Sequence, residues 1–139
     1  MGLSIQGIDH LVLRVRDVER MRRFYCETLG CVLERTQEEL GLYQLRAGAA
    51  LIDLVDVAGK LGQAGGAAPG KDGRNLDHFC LRIEPFDGAA IARHLTAQGV
   101  APGEVVSRYG AEGTGPSSYI EDPEGNVVEL KGPAGPVPA

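Results

Sequence analysis

Four residues of this 139-residue chain have the types and the placement to do metal chemistry: His10, Asp53, His78 and Glu129. Two of the three histidines sit at matched positions in a repeated heptad. It reads Asp9-His10-Leu11-Val12-Leu13-Arg14-Val15 first and Asp77-His78-Phe79-Cys80-Leu81-Arg82-Ile83 second, an offset of 68 (78 − 10). The carboxylates lie in a second matched pair, Leu51-Ile52-Asp53-Leu54 and Val127-Val128-Glu129-Leu130, at an offset of 76 (129 − 53); Tyr43 and Tyr119 match at the same offset. Two imidazoles and two carboxylates suit a borderline divalent ion, and Ni, Co, Zn, Mn and Fe(II) are all compatible. The carboxylates neutralise the cation, and open positions remain for water or substrate oxygens. A plainer reading pairs Asp53 or Glu129 with Arg14 or Arg82 in a structural ion-pair network. Four ligand types matched by the repeat favour metal, with Asp53, one methylene shorter than Glu, the weakest member.

The elements that must position these residues follow from periodicity. Residues 8–16 alternate, with Leu11, Leu13 and Val15 on one face and His10, Val12 and Arg14 on the other. Asp17 is placed as an N-cap, and Val18, Met21, Phe24, Tyr25 and Leu29 form a helical stripe that Gly30 ends. Strands are expected from Val32, over Leu42–Arg46 and over Ala49–Val57. Residues 58–75 are Gly- and Ala-rich without an apolar period and read as a linker or mobile loop. The second half repeats the order. A strand over Asp77–Ile83 precedes a helix from Asp87 to Gln98, and strands follow from Val105, over Ser117–Glu121 and over Asn126–Lys131. Asp122-Pro123-Glu124-Gly125 is a turn, and the proline-containing tail 132–139 is expected to fray.

The expected fold is therefore α+β: one domain, 1–139, built of two βαβββ modules in tandem (about 6–57 and 76–131). Their curved mixed sheet would form a cup with the helices outside. The four ligand residues would share its inner face with Val12, Leu51, Val55, Cys80 and Val127, and pseudo-two-fold closure would bring His10 opposite His78. Arg14 and Arg82, each four residues beyond a histidine, would face inward to clamp an anionic substrate group or balance the carboxylates. Tyr119 and Arg108 complete the candidate substrate contacts. Arg108 belongs to the Gly-rich insertion 107–116, read as a lid or binding loop. Cys80 is expected as a small buried filler on the same face and His94 as a surface residue.

Composition narrows the function class. A net charge of −5 and a pI near 5.2 argue against a nucleic-acid surface, and the cluster Arg20, Arg22 and Arg23 is interleaved with Glu19 and Glu27. Tryptophan is absent. No apolar run approaches the ~20 residues that span a bilayer, and residues 1–6 lack the basic n-region and long apolar h-region expected of a signal peptide. The three cysteines lack CxxC spacing, which indicates neither a disulfide framework nor a zinc knuckle. The expectation is a cytoplasmic protein acting on a small molecule, with no nucleic-acid or membrane partner.

The motifs Asp9-His10-x-x-Leu13-Arg14-Val15-x-Asp17, Phe24-Tyr25 through Leu29-Gly30, and Asp122-Pro123-Glu124-Gly125-Asn126-Val127-Val128-Glu129-Leu130 resemble the vicinal oxygen chelate superfamily. That superfamily includes glyoxalase I, bleomycin- and fosfomycin-resistance proteins and extradiol dioxygenases, and the resemblance runs over residues 6–131. It implies metal ligands at His10, Asp53, His78 and Glu129, with a metal that chelates vicinal oxygens. It implies Glu129 as proton-transfer base, Asp53 as ligand or second base, and Arg14 at a position that contacts the glutathione carboxylate in glyoxalase I. A homodimer is also implied. Three departures leave glutathione use open: Asp at position 53, Val57 where some glyoxalases carry Asn, and a loop 108–116 without Lys-Gly-Gly. The leading reading is a metal-dependent lyase or isomerase of glyoxalase type. The alternatives are an Fe(II) dioxygenase using His10, His78 and Glu129, and a non-catalytic small-molecule binding protein of the antibiotic-resistance kind.

Overall fold

Strand β1 (His10–Val15) pairs in parallel with β4 (Ala50–Asp56), the last strand of its half, rather than with its successor in the chain. Strands β2 (Val32–Gln37) and β3 (Leu42–Ala47) complete an antiparallel meander, so the four-stranded sheet has the order β1-β4-β3-β2. The second half repeats this order with β5 (Phe79–Arg82), β6 (Val106–Gly110), β7 (Gly113–Glu121) and β8 (Val127–Lys131), giving β5-β8-β7-β6 with β5 and β8 parallel. The computed structural model describes residues 2–137, which divide after Asp72 into two units. Each is the expected βαβββ module.

In the first unit the alternation read from sequence holds. Leu13, Val15, Leu45, Ile52 and Leu54 are buried on one face of the sheet, while His10, Val12, Leu51 and Asp53 share the other through the β1–β4 register. Helix α1 (Val18–Arg23) starts at Asp17, whose carboxylate accepts from the Arg20 amide, and packs against β4. Past Arg23 the expected α-helix widens into a π turn, Phe24–Thr28, with Leu29 N–H reaching the Phe24 carbonyl at 3.2 Å. The wider turn brings Phe24, Tyr25 and Thr28 inward together. Gly30 then stops the chain in the left-handed region, with Cys31 N–H bonded to Tyr25 O and Gly30 N–H to Cys26 O.

The segment read as a linker departs from expectation. It contains a short helix, α2 (Lys60–Gln63), and is tied to β1. Arg14 donates to the carbonyls of Gly62, Gly66 and Ala67, each at 2.9 Å, and Arg16 donates to that of Pro69. The local composition reads as flexible because the partner that orders it lies about fifty residues away.

In the second unit Phe79, Ile120, Val128 and Leu130 are buried on one face of the sheet, and Leu95 of α3 (Gly88–Ala97) is also buried; Asp87 caps α3 through the Ala90 amide. The strand expected from Asp77 begins at Phe79, leaving His78 one residue ahead of it. The insertion 107–116, read as a lid or binding loop, has regular structure. It is the β6–β7 hairpin, and its glycines make room for other parts of the unit. A Cβ at Gly110 would stand 2.8 Å from Lys131 Cε, and one at Gly115 would stand 2.3 Å from the Pro133 carbonyl oxygen. The tail is also more ordered than expected. Gly132 and Gly135 donate to Pro116 and Thr114 of β7, while Pro138 and Ala139 lie outside the described residues. Among the described residues no helix is long and apolar enough to cross a membrane.

Gly62 tests the pinned segment. A Cβ there would lie 1.9 Å from the Asp56 carbonyl oxygen and 2.5 Å from Val57 Cα, backbone atoms that cannot swing aside. Gly62→Ala is expected to cost about 3 kcal/mol in urea unfolding. Gly66→Ala, at φ +79° in open space, should cost only ~1 kcal/mol.

Candidate functional site

The first unit supplies one imidazole and one carboxylate on the same sheet face. His10 opens β1 opposite Leu51, and Asp53 stands opposite Val12 one step along, so the two are diagonal neighbours. Asp53 is only 4% exposed and takes weak hydrogen bonds from the Gln44 amide at 3.3 and 3.4 Å. His10 Nδ1 lies 2.7 Å from the Asp9 carboxylate. That hydrogen bond, with a smaller push from the Asp53 charge, raises the His10 pKa above the usual 6.5. An ionised carboxylate can only accept, so Nδ1 carries the proton and the Nε2 lone pair of the neutral ring is left for another partner.

The second unit repeats the pair and builds it further. His78 Nδ1 lies 2.6 Å from Asp77, whose carboxyl is lowered by the His78 hydrogen bond, and Nε2 stands 3.4 Å from Glu129 Oε1. Glu129 is 7% exposed, and its Oε2 accepts from the Ser117 hydroxyl at 2.8 Å. Arg108 Nη1 donates to both the hydroxyl and the carbonyl of Ser117 at 3.1 Å, and its guanidinium stacks 4.3 Å from the centre of the Tyr119 ring. Tyr119 in turn meets the His78 ring edge-on, centroids 5.3 Å apart. Burial and the Glu129 charge push the Tyr119 hydroxyl pKa up.

The candidate substrate contacts separate. Arg14 lies on the His10 face, opposite Val55, but its guanidinium is engaged by the three carbonyls of the 62–67 segment. Arg82 bonds to Glu112 and to Glu84 at 3.2 Å, so the ion-pair network considered for Glu129 forms at the hairpin turn instead. Arg108 and Tyr119 do stand beside the His78–Glu129 pair. The repeat offset misplaces one match: Tyr43 pairs with Leu54 on the core face, and Gln44, opposite Asp53, holds the place that Tyr119 holds opposite Glu129. The β7–β8 connection is longer than the β3–β4 turn, which shifts the offset on the preceding strand. Cys80 faces Glu129 across the register, as expected, but is exposed rather than a buried filler. His94 is exposed, as expected.

Sequence reading missed Ser117, Gln44 and the roles of Asp9 and Asp77. The repeated Asp-His dipeptide was the visible signal for the two aspartates. Ser117 was within reach by counting two residues back from Tyr119 on an alternating strand. His78 and Glu129 come within 3.4 Å of each other, and His10 and Asp53 share a sheet face; among the described residues no group of three or more His, Cys, Asp or Glu assembles as a metal cage. The donor chemistry of the pairs nevertheless fits a divalent ion, because each offers a buried carboxylate and an imidazole Nε2 whose other nitrogen is anchored.

Tandem βαβββ units, with a histidine from the first strand region and a carboxylate from the last on one face of each, define a vicinal-oxygen-chelate fold. Residues 7–130 match the Glyoxalase/Bleomycin resistance protein/Dioxygenase superfamily, and the chain belongs to it. Among solved structures, a virulence protein from Salmonella typhimurium is 29% identical, with 95% of this chain and 100% of that one covered and a TM-score of 0.77. An antibiotic-binding protein from a Streptomyces species is 25% identical over 96% of this chain and 100% of that one, with a TM-score of 0.68. A lactoylglutathione lyase from Agrobacterium tumefaciens, 20% identical over 92% and 94% of the two chains at a TM-score of 0.67, shares the fold.

Two titrations check this geometry in the metal-free protein. The first concerns the Cys80 thiol, which the partial desolvation of its sulfur, despite the residue's exposure, and the Glu129 charge hold at about 11. In a Cys26→Ser/Cys31→Ser background, alkylation of Cys80 should therefore accelerate only well above pH 9, and Glu129→Gln should move the onset downward. The second follows His10 by NMR, where its midpoint should lie above 6.5 and fall in Asp9→Asn. Because the folded pKa is the higher one, the Asp9–His10 contribution to stability is complete below pH 6.5 and disappears as pH rises through the raised value. Asp9→Asn should accordingly narrow the stability difference between mildly acidic and mildly alkaline solution.

Proposed function

We propose that the protein is a divalent-metal lyase or isomerase of the glyoxalase type, with His10, Asp53, His78 and Glu129 as metal ligands and a small oxygenated molecule as substrate. The observation that carries this reading is the second pair. With Nδ1 committed to Asp77, His78 Nε2 faces Glu129 Oε1 at 3.4 Å, and two lone pairs at that distance call for a proton or a cation between them. A bound divalent ion would polarise adjacent substrate oxygens and make the neighbouring C–H acidic.

The chain's own groups supply the proton handling. Glu129 takes a proton from one carbon and returns it to the next, so the reaction is an isomerisation without net oxidation. Ser117 donates to Oε2 and holds the Glu129 carboxylate in place. Asp53 acts as a ligand or second base. Arg108 and Tyr119, beside Glu129, are the candidate substrate contacts of that pair; Arg14 and Arg82 would serve only after leaving their present partners.

A second reading, a non-catalytic binding protein, draws on the likeness to the Streptomyces antibiotic-binding protein. Elemental analysis of protein purified without chelators separates the two. The metal reading expects near-stoichiometric divalent metal, or its uptake on adding Ni, Co, Mn, Zn or Fe(II); absence of both sinks it. With metal present, vicinal dicarbonyls tested with and without glutathione should be turned over, and oxygen uptake after anaerobic Fe(II) loading would instead mark the dioxygenase alternative. Glu129→Gln should lower turnover by about 10²–10⁴-fold with the circular dichroism spectrum unchanged. Metal affinity should also fall on acidification through the raised His10 pKa, since the proton and the ion compete for that ring.

A further inference from the structure

We propose that Arg108 and Ser117 are positioning residues that brace the His78–Glu129 pair of the second unit for metal binding, and that the His10–Asp53 pair of the first unit, without such a brace, binds metal more weakly. This rests on the metal reading above and adds an order between the two pairs that neither the repeat nor the family match contains.

The argument is one of hydrogen-bond direction. A guanidinium can only donate, so Ser117 Oγ accepts from Arg108 Nη1 at 3.1 Å. The serine hydroxyl has one proton, and its remaining partner is Glu129 Oε2 at 2.8 Å, so that proton points to the carboxylate. Ser117 is fully buried, which holds this orientation away from competing water. Oε2 is thereby occupied, and Oε1 is turned to His78 Nε2. The same guanidinium also acts on the histidine. Its central carbon sits over the Tyr119 ring, 4.3 Å from the centroid, and Tyr119 meets the His78 ring at 88°. One arginine thus fixes the carboxylate through a hydroxyl and the imidazole through an aromatic ring.

Among the described residues the first unit has no counterpart. Taking Asp53 as the match of Glu129, the residue opposite Val55 is Leu42 where the second unit has Ser117 opposite Lys131, and Gln44 stands where the second unit has Tyr119. Asp53 therefore meets no hydroxyl, and the Gln44 amide reaches it only at 3.3 and 3.4 Å. His10, for its part, is held through Asp9.

Removing a partner that orients a metal ligand typically weakens metal binding by about 10–100-fold. The test measures Co(II) affinity by chelator competition, with the visible Co(II) spectrum reporting ligand geometry. Ser117→Ala and Arg108→Met are expected to weaken Co(II) at least tenfold and alter its spectrum. Ser117→Thr, which keeps the hydroxyl, should restore affinity, while Arg108→Lys should not, since an ammonium lacks the planar fork and the stacking face. Gln44→Ala should change affinity by less than about threefold. Wild-type affinity in Ser117→Ala would overturn the bracing role, and a loss in Gln44→Ala as large as that in Ser117→Ala would overturn the asymmetry. A metal-free readout keeps this distinct from the proposed function. In Arg108→Met the His78 ring-proton shifts, set by the edge-on Tyr119 ring, should move relative to wild type, and unchanged shifts would overturn the proposal. If wild-type protein takes up no metal, the enzyme reading falls and the His78 shifts alone decide whether Arg108 holds that ring.

Discussion

Parallel pairing of a first strand with a last one sets the chemistry of both units. Joining β1 to β4 and β5 to β8 side by side puts Val12 opposite Asp53 and Cys80 opposite Glu129. Each histidine then stands one alternate position before the partner of the carboxylate, on the same face. Side chains in a strand alternate with a period of two, so a slip of one residue would turn the carboxylate into the core and bring Leu54 or Leu130 to the ligand face. The apolar residues on the opposite face guard against that slip, since Leu13, Ile52, Leu54, Val128 and Leu130 are all buried there. The packing face thereby holds the chemical face in register.

Burial of Asp53 and Glu129 creates the next requirement, because a carboxylate removed from water needs hydrogen-bond donors. The two units meet it differently. Glu129 receives a short bond from a serine that an arginine orients, and Asp53 receives two long bonds from a glutamine. A tandem repeat that looks symmetrical in its histidines and carboxylates is thus unequal in what holds them. The inequality comes from the strand facing the carboxylate, where the repeat is weakest: Leu42 and Gln44 in one unit, Ser117 and Tyr119 in the other.

The arginines show how far a residue's type underdetermines its task. Arg14, Arg82 and Arg108 are alike as candidate substrate contacts until their partners are known. Arg14 gathers three carbonyls of a glycine-rich segment, Arg82 joins acidic residues at and near a hairpin turn, and Arg108 spans a serine and a tyrosine ring. Glycine carries a similar ambiguity. Stretches 58–75 and 107–116 read as flexible because glycine is common in loops, yet Gly62, Gly110 and Gly115 are small because backbone or a lysine stem occupies the space a Cβ would need.

What the sequence determined by itself was the periodic and the local: the two βαβββ modules, the helix cap at Asp17 and the stop at Gly30. These depend on alternation, on neighbours within a turn and on an internal repeat, all of which can be read along one dimension. Tertiary structure alone decided the π turn after Arg23, the register that replaces Tyr43 by Gln44, and the ordering of the 58–75 segment. It also decided the chain of contacts from Arg108 through Ser117 to Glu129. Each of these joins residues whose proximity is set by strand pairing and turn length, and a one-residue difference in a turn is enough to exchange the face on which a side chain stands.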